Sequence, residues 1–164
     1  MELKRRRLNA RTVFVGLYVL AFAIYIIVGL QPAEAANYEV TTKLAIPEIS
    51  LNVDVTALEL NNGKLDTPDA IVGSYTRAKN KTLLIGHSTT VFQNLDQVKL
   101  GNTINYDGQL YRVVARDMIQ KADVEMQQVL AGTDKDTIVI MTCAGQLLGG
   151  GDATHRLIIT AVNE

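Results

Sequence analysis

One cysteine, Cys143, stands in 164 residues, so the chain has no internal disulfide. Histidine is almost as scarce. His87 and His155 are the two present, and with Cys143 they show none of the short spacings that mark metal ligands, so no metal site is expected. No internal repeat is visible, and no low-complexity tract beyond a short polar stretch at 31–42. Excess positive charge is missing from most of the chain. The net charge is −1, yet residues 1–11 hold Lys4, Arg5, Arg6, Arg7 and Arg11 against Glu2, a net of +4, which leaves −5 for residues 12–164. A mildly acidic body argues against nucleic acid as the main partner. The length suffices for one domain with a real core and not for two.

What is present begins with a long apolar run. Residues 12–30, TVFVGLYVLAFAIYIIVGL, are 19 residues without a charge. About 20 apolar residues span a bilayer as a helix, and flanking basic residues stay cytoplasmic. The expected arrangement is a cytoplasmic tail at 1–11, a single transmembrane anchor at 12–30, a linker at 31–42 and an extracytoplasmic domain at 43–164. The alternative is a signal peptide cleaved near Ala35, since Ala33 and Ala35 form a small-residue site, although the run exceeds the usual 7–15 residues of a signal core. Twelve linker residues reach at most about 40 Å, so the domain is expected to work close to the membrane.

From Lys43 onward the pattern is β-rich. Leu44-Ala45-Ile46 ends at Pro47, which suits a strand end. Leu51, Val53 and Val55 alternate with Asn52 and Asp54. Asn61-Asn62-Gly63 is a turn signal. The segments 102–106 and 109–114 flank Asp107-Gly108, a strong hairpin signal. Apolar runs lie at 82–85, 137–141 and 157–162. A short helix is predicted with Asp123 as its cap, Met126, Val129 and Leu130 on one face and Gly132 as its end, and a weaker helical turn at 91–98. Seven or eight short strands with one or two short helices point to a mainly β barrel or sandwich.

A lone thiol outside the cytoplasm is open to oxidation, and composition alone favours a small buried hydrophobe for such a residue. Its neighbours reverse that. Gly86-His87 follows one buried run, Thr142-Cys143 follows another, and Arg156 opens the last. A thiolate is a strong nucleophile, a histidine serves as general acid or base, and a fixed cation or backbone N–H stabilises the oxyanion of an attacked carbonyl. Together they suit acyl transfer. The backbone N–H groups after Cys143 are further oxyanion candidates.

These residues resemble the sortase family. The run Val139-Ile140-Met141-Thr142-Cys143 is similar to the sortase cysteine motif, Arg156 follows it by 13 residues at the final strand, and Gly86-His87 precedes it by 56. Leu44-Ala45-Ile46-Pro47-Glu48-Ile49 and Phe92, Leu95, Val98, Gly101 and Ile104 extend the likeness from about 43 to 162. The resemblance implies a closed eight-stranded β-barrel. It also implies cleavage of an LPxTG-like sorting signal between Thr and Gly, a thioester at Cys143, and transfer to an amine, either a cell-wall precursor or a pilin lysine. Secreted proteins bearing a C-terminal sorting signal are the implied partners. No cofactor is expected, and calcium dependence, acceptor and subclass stay open.

Among other residues, Thr142 and Ala144 are candidate substrate contacts, with packing of a β-branched strand residue the equal alternative for Thr142. His155 should point away from Cys143 if Arg156 points toward it, because adjacent strand residues face opposite sides. Ser88 reads as a turn residue. Two rival functions stay open, a hydrolytic cysteine peptidase and a membrane-anchored β-barrel that only binds.

Overall fold

The computed structural model describes residues 40–148 and 152–164, all within the compact unit Tyr38–Glu164. The predicted tail at 1–11, the anchor at 12–30 and residues 31–39 of the predicted linker lie outside the described residues, while residues 40–42 of that linker belong to the first strand. Among those described, no helix is long and apolar enough to cross a membrane.

The described residues form ten strands: β1 (Val40–Ile46), β2 (Leu51–Ala57), β3 (Leu60–Asn61), β4 (Lys64–Leu65), β5 (Val72–Ala78), β6 (Lys81–Ile85), β7 (Thr103–Tyr106), β8 (Gln109–Gln120), β9 (Thr137–Leu147) and β10 (Ala153–Asn163). Eight of them close a barrel in the order β1-β2-β5-β6-β9-β10-β8-β7, and β3 and β4 form a separate hairpin. This is the expected mainly β, eight-stranded closed barrel. β1 starts at Val40 rather than Lys43, because its pairing with β2 extends that far. Two neighbouring pairs are parallel, β2 with β5 and β6 with β9. Parallel neighbours need a crossover. The β3–β4 hairpin lies within the first, and the second carries everything from His87 to Asp136.

Two layers of apolar packing explain the uninterrupted runs at 82–85 and 137–141. Leu84, Ile138, Ile140, Leu157 and Ile159 fill the barrel with Leu44, Val55, Phe92 and Ile104. Leu83, Ile85, Val139 and Ile158 form a second cluster with Leu58, Leu65, Val124, Met126, Val129, Leu130 and Met141. A strand covered on both faces has no use for alternating polar residues. The two-residue turns behave as their sequences require. Asn62-Gly63 and Asp107-Gly108 hold positive φ at both positions (51° and 76°, 52° and 76°), as tight hairpins with right-handed twist demand.

The short helix is present but shorter than its sequence pattern suggests. α1 is one turn, Met126–Val129, entered through Glu125 without a side-chain cap. Asp123 ends a 3₁₀ turn, Lys121–Asp123, instead of capping that helix. The turn predicted at 91–98 is 3₁₀ at Leu95–Gln97. Isolated helices this short gain too little from backbone hydrogen bonding alone. Met126, Val129 and Leu130 are held instead by their packing on the second cluster.

Candidate functional site

The site is assembled by strand register. β10 pairs with β9 so that Arg156 lies directly opposite Cys143, and Leu157 opposite Thr142. Directly opposed residues of an antiparallel pair share a face. On the other side β6 runs parallel to β9, from Lys81↔Thr137 to Ile85↔Met141. That register is an offset of 56 residues, the same as between His87 and Cys143. Continuing it past the end of β6 brings His87 level with the cysteine. The Thr142 hydroxyl, itself buried, donates to the Gly86 carbonyl at 2.7 Å and so ties the histidine loop to the cysteine strand. A Cβ on Gly86 would stand 2.6 Å from Val91 Cγ2 and 2.8 Å from Phe92 Cε2, which is why glycine precedes the histidine.

Cys143, His87 and Arg156 all line one cavity of about 450 Å³. The rest of its wall is largely apolar: Leu60 and Leu65 from the β3–β4 hairpin, Tyr75 from β5, Ile85 and Met141 from the floor strands, and Met126 and Leu130 from around α1. Cys143 is half-buried. It sits within β9 rather than just past it, since pairing with β10 carries the strand on to Leu147. The departure from regularity comes two residues later. Gly145 takes φ +78°, and a Cβ there would meet His155 Nδ1 and Thr154 Oγ1 at 2.6 Å.

His87 Nε2 lies 3.7 Å from an Asp69 carboxylate oxygen on a fully exposed side chain. Such an exposed pair contributes little energy. Arg156 is more tightly held. Its Nη1 donates to the carbonyls of Ala153 (3.1 Å) and His155 (2.9 Å), and its Nη2 to Asp152 Oδ1 (2.8 Å). The other Asp152 oxygen accepts from Lys121 Nζ. Hydrogen bonds from Lys121 and then Arg156 hold the Asp152 carboxyl well below the usual carboxylate range. Neither Asp69 nor Asp152 stood out in the sequence. Asp152 follows a glycine-rich stretch and Asp69 precedes β5, and no motif marks either.

The remaining candidates separate. Thr142 reaches the cavity wall, but its hydroxyl is spent on Gly86. Ala144 pairs with His155, packs against the barrel core and lines a second, smaller cavity of about 230 Å³ that Cys143 and Thr142 also border, with Ser88, Phe92 and Asp96. His155 shares a hydrogen bond with Thr154 Oγ1 at 2.8 Å and does not line the cavity of Cys143, Arg156 and His87. Among the described residues, no three of His, Cys, Asp and Glu converge as a metal ion would require.

A closed mixed barrel that sets a thiol, an imidazole and a guanidinium along one apolar groove has the groups that thiolate acyl transfer needs. Comparison with known proteins gives the family. Residues 44–164 match the sortase domain model, and the chain belongs to the sortase family, whose members are cysteine transpeptidases. Solved structures share the fold. Sortase A from Corynebacterium diphtheriae, in a lid mutant, is 23% identical with a TM-score of 0.58, covering 79% of this chain and 72% of that one. Sortase C2 of Pilus Island 1 from Group B Streptococcus is 19% identical with a TM-score of 0.59, covering 79% and 77%. Sortase C from Clostridium perfringens, solved with the C-terminal cell wall sorting motif, is 18% identical with a TM-score of 0.57, covering 80% and 74%. No curated protein is similar enough to the sequence to count as a match.

Proposed function

We propose that this chain is a membrane-anchored transpeptidase that cleaves an LPxTG-like sorting signal between Thr and Gly and passes the acyl group to an amine. The observation that carries this reading is the convergence of Cys143, His87 and Arg156 on one apolar groove. The sorting peptide lies in that groove. The Cys143 thiolate attacks the Thr carbonyl, and Arg156 holds the resulting oxyanion. The tetrahedral intermediate collapses, the Thr–Gly bond breaks, and His87 protonates the departing amine. An incoming amine then attacks the thioester, His87 accepts its proton, and the thiolate is released. A sorting motif bound to the Clostridium perfringens sortase C supports the substrate class. The basic tail at 1–11, the anchor at 12–30 and the linker leading up to β1 would hold the barrel domain on the outer face of the cell membrane, N-terminus inside.

Cys143→Ala is the direct test. It should abolish both peptide cleavage and the acyl-enzyme mass adduct, and an adduct that persists in this variant would sink the reading. Product analysis with and without added amine then separates transfer from hydrolysis.

A further inference from the structure

An arginine helps an oxyanion only if its guanidinium is already in place when the charge develops. Arg156 has a long, flexible side chain, and what fixes its end is visible. The carbonyls of Ala153 and His155 are backbone groups of its own strand. The one side chain among the described residues that bonds to it is Asp152. Together the three bonds use three of the five guanidinium donors and leave two, one of them Nε–H. Asp152 is itself anchored. Its Oδ1 also accepts from the Ala153 N–H (2.8 Å), and its carbonyl accepts from the Leu148 N–H (2.7 Å) across the β9–β10 hairpin. Its second carboxylate oxygen is held by Lys121, at the start of the connection that carries Met126 and Leu130 to the groove. A carboxylate serving one arginine alone would cancel the charge the oxyanion needs. Here two cations share one carboxylate, so a net positive charge stays at the site.

We propose that Asp152 is a positioning residue for the reaction: its carboxylate, shared with Lys121, fixes the Arg156 guanidinium at the groove before the oxyanion forms. The proposal rests on the reading in which Arg156 stabilises that oxyanion.

The test is a double-mutant cycle on the full chain in detergent, read by steady-state cleavage of an LPxTG peptide. Arg156→Ala should lower kcat by about 10²–10³-fold, the usual loss for an oxyanion donor. Asp152→Asn should lower kcat about tenfold with KM within about twofold, the loss expected from a misplaced donor rather than a missing one. Asp152→Glu should recover most of that. Asp152→Asn in the Arg156→Ala background should have no further effect, because a residue acting only through Arg156 has nothing left to act on. Asp152 is partly exposed, and an unchanged circular-dichroism spectrum with a cooperative melt shows that its variants fold, with Asp152→Ser as a second truncation. An unchanged kcat in Asp152→Asn overturns the proposal. So does a rise in KM alone, or the same tenfold loss in the Arg156→Ala background. If Arg156→Ala is fully active, the oxyanion reading itself fails. If Arg156→Ala is impaired and Asp152→Asn is not, only the present proposal falls.

Discussion

Thr142 shows how much one hydroxyl can organise. The residue is buried, and its Oγ1 satisfies the Gly86 carbonyl at the point where β6 has ended and the ladder has no backbone partner to offer. In the sequence it reads equally as a substrate contact or as a strand former, and its bond to Gly86 gives it a third task. Thr142→Val keeps the shape and removes the donor, leaving the Gly86 carbonyl unsatisfied. The expected loss is about 1–3 kcal/mol, the usual cost of a buried polar group stripped of its partner. Thr142→Ser should retain most of the stability. Urea denaturation of the two variants checks this, and a valine variant as stable as the serine one would show that the tie carries no weight. The trio was legible because its spacing encodes the register: 56 residues from His87 to Cys143 is the parallel offset of β6 against β9. Asp152 was not legible, because a carboxylate beside a glycine-rich stretch has no pattern until the hairpin folds it back onto Arg156.

Among the elements, β9 carries the most. It is covered by two apolar layers, pairs with β6 and β10, and ends in the half of the strand that holds the cysteine. Ile140 is fully buried within the barrel. Ile140→Ala should therefore cost about 2–5 kcal/mol, the range for truncating a close-packed core residue, measured as a lower urea midpoint. A loss near zero would mean that the barrel interior is not the packed core described. Strands with strong local signals were legible, namely the apolar runs of β6 and β9 and the Asp107-Gly108 hairpin. β5 was not. Its sequence, VGSYTRA, mixes small, polar and charged residues, and it is a strand because β2 and β6 pair with it from both sides. Gly73 within it has no room for a side chain, since a Cβ would stand 2.3 Å from Leu58 Cδ1. Both facts depend on residues distant in sequence, as does the extension of β9 through Ala144 and Gly145.

The barrel as a whole is bounded in pH by the groups that seal it. Tyr111, on β8 and buried, donates from its hydroxyl to Asp136 Oδ2 at 2.8 Å, next to the start of β9. Burial, then the hydrogen bond to Asp136, raises its pKa well above the ordinary tyrosine value of 10.0. Burial raises Tyr106, which stacks at a tilt 6.5 Å away, in the same direction. A raised pKa in the folded state means that the unfolded chain releases its proton first. The associated stability is therefore fully present below pH 10 and is lost as pH climbs from there toward the folded value. Asp152 works the other way. Its lowered pKa supplies stability that is present above the ordinary carboxylate value of 3.8 and lost as pH falls below it. Tyr111→Phe isolates the alkaline edge. At pH 7 the variant should be less stable by about 1.5–3 kcal/mol, the net worth of a hydrogen bond to a charged group. Between pH 8 and 11 the wild type should then lose stability faster than the variant, so the gap between their urea midpoints should narrow. Lysines and the other tyrosines titrate alike in both proteins and drop out of the difference. Parallel profiles across that range would mean that the Tyr111 proton is no more firmly held in the folded barrel than in the unfolded chain.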